Sequence, residues 1–295
     1  MAERATSPGA TNRFARTPSG ALVIGAIASV QLGASLATTL FARVGPAGTV
    51  LLRLLSAAIV VLALARPRLR GRSRSELLLV AAFGLVLAGM NLSFYEAIDR
   101  IPLGVAVAIE FVGPLAVALA GHRRRPDLAW VALAAAGIVA LTRGGAHGLD
   151  AAGVAFALVA GGMWGAYILL NARVGRHFEG ATGLTLALWA AALVVAPVGV
   201  ASGGSELLEP QVLALGAAVG VLSSAIPYTL EVEALRRIAA PTFGVLMSLE
   251  PAVAALAGFV VLGQSLGARE LLGIALVSVA SVGAARAGPP APLVV

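Results

Sequence analysis

The 295-residue chain is 59% hydrophobic and only 12% charged, with a mean hydropathy of +0.94. A soluble domain carries about 25% charged residues, so this chain cannot cover a water-facing surface of its size. It has no cysteine, which excludes disulfides and thiolate metal sites, and its net charge of +7 comes with arginine as its only strongly basic residue.

Residues 1–20 are polar, basic and rich in Pro, Gly, Ser and Thr, the composition of a disordered tail. Ten apolar runs follow, at about 21–41, 46–65, 76–97, 102–120, 127–142, 150–171, 181–200, 211–230, 240–262 and 268–285. Most are near 20 residues, enough for a helix to cross roughly 30 Å of hydrocarbon, and the fifth is short. The first run is too long for a typical signal-peptide core and more spans come after it, so it reads as a retained span. The expected fold class is an all-α membrane protein of ten transmembrane helices.

The arginines orient these spans. With the N-terminus in the cytoplasm, sixteen of the 21 fall in cytoplasmic segments, and Arg43, Arg100, Arg143 and Arg269 fall outside. Arg53 lies within the second span. Such a bias is the positive-inside pattern and puts both termini in the cytoplasm. The basic charge therefore sets topology, and no nucleic-acid partner is expected.

A shift of 137 residues lays Glu96–Ile101 on Glu233–Ile238 and Pro114–Gly121 on Pro251–Gly258, with nine identities across 96–121. Upstream, Ala42-Arg43-Val44-Gly45 recurs as Ala172-Arg173-Val174-Gly175. Spans 1–5 thus match spans 6–10, as units 21–143 and 150–286, followed by a short tail, 287–295. Because five is odd, the second unit enters the membrane from the opposite side. Inverted five-helix repeats are an arrangement of secondary transporters, with the substrate site near the midplane. Duplication of a purely structural bundle would leave the same repeat.

Two carboxylates, Glu110 and Glu250, lie near the middle of spans 4 and 9. An ionised carboxylate there costs at least ~2.5–3.5 kcal/mol, so each should be protonated, paired or facing water. A group that gains and loses protons during a transport cycle fits that position, and so does a protonated Glu that only joins two helices. Pro114 and Pro251 break the same spans: neither donates an N–H to the carbonyl four residues before it, at Glu110 and Met247. Those carbonyls need protein or water partners, which points to a cavity. Glu110 precedes its proline by four residues and Glu250 by one. They differ by ~4.5 Å in height and ~60° in direction, which suggests that one carries protons and the other meets a substrate ammonium.

Gln31, Asn91, Tyr95, Trp164, Tyr167, Asn171 and Tyr228 could line such a cavity, bond between helices or anchor at the interface. Arg53 could bind a substrate carboxylate, pair with a Glu, or snorkel to the outer surface. His122, His147 and His177 lie in loops without metal-ligand spacing, and no metal site is expected. Gly161-Gly162 and Gly121 read as close helix packing. The chain lacks GxxxxGK[ST], so it does not drive itself with ATP, and no concentrated catalytic set marks an enzyme.

Met247-Ser248-Leu249-Glu250-Pro251 through Gly258, then Leu262-Gly263-Gln264, resembles the end of EamA domains of the drug/metabolite transporter superfamily. Asn91–Phe111 and Pro227-Tyr228-Thr229-Leu230-Glu231 resemble the threonine/homoserine exporter branch more narrowly. The resemblance implies two EamA repeats in a bacterial cytoplasmic (inner) membrane and proton-coupled efflux of small amino acids. Protons would be the coupling ion, with no other cofactor. One departure is Gln264, where the domain commonly has Glu. Efflux of drugs or other metabolites is the nearest alternative, although aromatics make up only 5% of the chain. A membrane enzyme or assembly subunit is the alternative of another class. Oligomeric state stays open.

Overall fold

The computed structural model describes residues 17–65, 72–120, 125–142, 149–179, 181–238 and 240–286, and every regular element among them is helical. His122, His147, Gly121, the 287–295 tail and half of the sixteen arginines expected in the cytoplasm lie outside these residues. The helices are α1 (Ser19–Ala65), α2 (Arg74–Ile98), α3 (Leu103–Glu110), α4 (Val112–Ala120), α5 (Arg125–Thr142) and α6 (Ala151–His177). They continue with α7 (Thr182–Gly203), α8 (Pro210–Gly220), α9 (Ile226–Leu235), α10 (Ala240–Met247), α11 (Glu250–Leu262) and α12 (Ala268–Arg286). Among the described residues, seven stretches are long and apolar enough to cross a bilayer, and Leu103–Ala118 and Leu128–Thr142 are shorter apolar helices. The outward surface is apolar as well: Leu193 is 71% exposed and Leu128 and Val260 are 69% exposed. Such a surface suits lipid rather than water.

The helices begin and break where local chemistry requires. Ser73 caps α2 reciprocally, its hydroxyl accepting from the Glu76 N–H at 3.2 Å while the Glu76 carboxylate accepts from the Ser73 N–H at 2.8 Å. Within α1 the helix is interrupted at Gly45, whose φ of 68° and ψ of 170° are non-helical, just before Pro46. Two hydroxyls take up carbonyls at that break: Ser202 donates to Val44 at 2.9 Å and Thr49 to Gly45 at 2.8 Å. The expected loop between the first two runs is therefore a single-residue break. At the other end of the eighth run, helix continues to Leu235, five residues past the expected limit of 230.

Several features recur about 137 residues apart. The helix is interrupted at Phe111, between α3 and α4, and at Ser248 and Leu249, between α10 and α11. Arg100 pairs with Glu96 at the end of α2, and Arg237 pairs with Glu233 beyond the end of α9. Gly84 packs against the Ala187 carbonyl and Ala191 amide, as Gly220 packs against the Arg53 carbonyl and Ala57 amide. A methyl on Gly137 would stand 2.9 Å from the Gly273 carbonyl oxygen, and a methyl on Gly273 would stand 2.9 Å from that of Gly137.

Contacts distant in sequence also tie the helices together near their breaks and ends. Arg43 pairs with Glu206 at 3.2 Å and with Glu209. The Leu103 N–H, left without a helical partner at the start of α3, donates to the Gln264 side chain at 3.0 Å.

Candidate functional site

The two helix interruptions open onto one cavity of about 480 Å³, walled by α1, α2, α3, α4, α6, α9, α10, α11 and α12. That size lies within the range of small-molecule sites. Pro114 explains the first interruption. Without its N–H the chain cannot close the helical bond to the Glu110 carbonyl, and α3 ends at Glu110. The freed carbonyl is covered by glycine backbone, since a methyl on Gly161 of α6 would lie 2.6 Å from it. Gly113 is held as tightly, 1.8 Å from the Gly161 carbonyl oxygen by the same measure. Neighbouring Gly162 meets nothing within 4 Å. Pro114 itself lies on the cavity wall, whereas Pro251 is buried behind it at the start of α11.

Glu110 and Glu250 both line the cavity, and each is at most 8% exposed. Gln31 of α1 donates its amide N–H to Glu250 Oε1 at 3.2 Å. The other oxygens of that pair, Gln31 Oε1 and Glu250 Oε2, are buried with no hydrogen-bond partner, and so is the Ser223 hydroxyl. Ser223 belongs to a π-helical turn, Val221–Ala225, between α8 and α9. That turn packs on α1, where the Ser29 hydroxyl donates to the Leu222 carbonyl at 2.7 Å. Single π turns inside α-helices are frequent at functional sites.

Arg53 lines the cavity and donates to the Tyr95 hydroxyl at 3.3 Å, with its guanidinium carbon 5.5 Å from the tyrosine ring centre. Its charge acts on Glu110 across the cavity, although no carboxylate among the described residues lies within ion-pair distance of it. Tyr95 is fully buried behind Arg53 and does not reach the wall. Asn91 and Trp164 do, Asn91 also donating to the Leu87 carbonyl at 2.8 Å within its own helix. Tyr228 lies on α9, and its side chain is outside the described residues.

Sequence reasoning missed Glu231. It is a third carboxylate on the cavity wall, half-buried on α9. The signal was present in a carboxylate one helical turn beyond Pro227, but it fell one residue past the expected end of that span. The low aromatic content also concealed a local concentration: Phe94, Phe111, Trp164, Tyr167 and Phe243 all line this cavity. Phe111 and Trp164 meet edge-on, with ring centres 5.2 Å apart.

Residues 151–285 match the profile of the EamA-like transporter family. The chain is 41% identical over 280 residues to the threonine/homoserine exporter RhtA of Salmonella typhimurium strain LT2, covering 94% of each chain. It is 43% identical over 266 residues to the protein of the same name from Escherichia coli K12, covering 89% of each. A solved crystal structure at 19% identity shares the fold with a TM-score of 0.60, covering 90% of this chain and 96% of that one.

Proposed function

The chain belongs to the EamA-like transporter family, and from that premise we propose that it is a secondary active exporter of small amino acids such as threonine and homoserine, working by proton antiport with alternating access. The exporter names of its relatives support the substrate class. The observation that carries the mechanism is the pair of buried carboxylates, Glu110 and Glu250, facing one cavity at two helix interruptions. Of two carboxylates on one cavity, one can hold the substrate ammonium while the other gains or loses a proton. Glu250, already oriented by Gln31, meets the ammonium, and Glu110 carries the proton.

We read ten crossings in the cytoplasmic (inner) membrane. α1 is counted twice because of its Gly45 break, and the pairs α3–α4, α8–α9 and α10–α11 are counted once each. The recurring interruptions, ion pairs and glycine contacts support two inverted repeats. The mutual approach of Gly137 and Gly273 is what an axis between two related halves produces. The arginine bias favours cytoplasmic termini.

Reconstitution into proteoliposomes, with counterflow of labelled threonine under a pH gradient, tests this function. Homoserine and threonine should exchange, faster with the gradient. A chain that moves no amino acid under any gradient contradicts it. The five cavity aromatics favour efflux of larger aromatic solutes as the second reading, which predicts competition by planar cations in the same assay.

A further inference from the structure

Arg53 is an unusual residue for its place. It sits in an apolar helix between Leu52 and Leu54, both buried, where a charge without a counter-ion is costly. Three carboxylates share its cavity, yet no acidic side chain among the described residues lies within ion-pair distance of it. Its hydrogen-bond partner is the neutral Tyr95 hydroxyl. Tyr95 is held in turn, fully buried between Phe41 and Phe94 with ring centres at 5.7 and 6.0 Å. The guanidinium is thus fixed from behind, leaving donors that face the cavity. A planar fork of N–H groups matches a carboxylate bidentately. Gln31 and Glu250 line another part of the same cavity, and their oxygens Gln31 Oε1 and Glu250 Oε2 are unpartnered in its wall, both on side chains more than nine-tenths buried.

A held cation that feels Glu110 across the cavity but makes no ion-pair contact among the described residues, and a separate pair of buried acceptors without donors, are complementary to a zwitterion. Resting on the amino-acid export proposed above, we propose that Arg53 binds the substrate's α-carboxylate while the Gln31–Glu250 pair takes its α-ammonium. The cavity then selects α-amino acids with a free carboxylate over their amides and alcohols. Tyr95 acts as a positioning residue for Arg53.

The test is competition against labelled threonine in proteoliposomes by unlabelled threonine, threoninamide and threoninol. In the wild type, threonine should compete about 10–100-fold better than either analogue, the scale on which a site built for a charged group rejects one that lacks it. Arg53→Gln should remove most of that preference by weakening threonine while leaving threoninamide within about twofold. Arg53→Lys should restore part of it, and Tyr95→Phe should reduce it without loss of folded protein. If Arg53→Gln does not fold, the preference measured in Arg53→Lys and Tyr95→Phe decides, and an unchanged preference in both overturns the assignment. A wild-type chain that moves neither threonine nor threoninamide contradicts the export reading and this assignment with it. A chain that moves threonine, and whose Arg53→Gln variant keeps the full preference, contradicts the role of Arg53 alone.

Discussion

Gln31 and Glu250, 219 residues apart in the chain, meet at 3.2 Å inside the membrane-spanning bundle. The contact joins α1 to the start of α11, where the helix restarts after its interruption. It engages one carboxylate oxygen and leaves the other buried without a hydrogen-bond partner.

Removing this partner should weaken transport without destroying the protein. A hydrogen bond to a charged group contributes about 1.5–3 kcal/mol, so Gln31→Leu should raise the half-saturating threonine concentration roughly tenfold or more. Counterflow at several threonine concentrations measures it. An unchanged value would mean that the pair is structural only.

The adjacent glycines of α6 should respond differently to the same change. A methyl at Gly161 collides with the Glu110 carbonyl, whereas Gly162 has open space. Gly161→Ala should cost about 1–3 kcal/mol, the usual range for overpacking, and lower the melting temperature in detergent. Gly162→Ala should melt with the wild type. Equal melting of the two variants would show that α6 does not pack so closely on the interruption.

Much of this was legible beforehand because it is written locally. Pro114 and Pro251 announce the interruptions through a missing N–H, and apolar runs of fixed length announce the spans. Glu110 and Glu250 stand out because ionised groups are rare in such runs. What stayed hidden depends on distant partners. Nothing near Gln264 shows that its side chain accepts from the Leu103 N–H, and nothing near Arg53 shows that Tyr95 stands behind it. Glu231 was lost for another reason. Hydropathy falls off gradually toward a helix end, so the edge of a span is the least defined part of the pattern.

The Gln264 contact gives a stability prediction. Gln264→Ala removes the acceptor for an orphan helix-start N–H and should cost about 1 kcal/mol, in line with other lost caps. Gln264→Glu keeps an acceptor and should melt close to the wild type. A thermal melt of the three proteins side by side checks both, and equal loss in the two variants would contradict the capping role.

Glu231 lines the cavity and, among the described residues, has no hydrogen-bond partner of the kind that Gln31 supplies to Glu250. Glu231→Gln should therefore preserve threonine exchange at equal pH on both sides while reducing its acceleration by a pH gradient. If gradient-driven and equilibrium exchange fall together, Glu231 takes part in binding rather than in proton movement.

The central claim is that Glu110 and Glu250 couple amino-acid movement to protons, and proton flux measured alongside threonine flux tests it most directly. In proteoliposomes loaded with a pH-sensitive dye, threonine added to one side of the wild type should drive protons the opposite way. Glu110→Gln should exchange threonine with no proton movement, and Glu250→Gln should lose both. Proton-coupled exchange retained at wild-type rate and pH dependence in both variants would contradict the account.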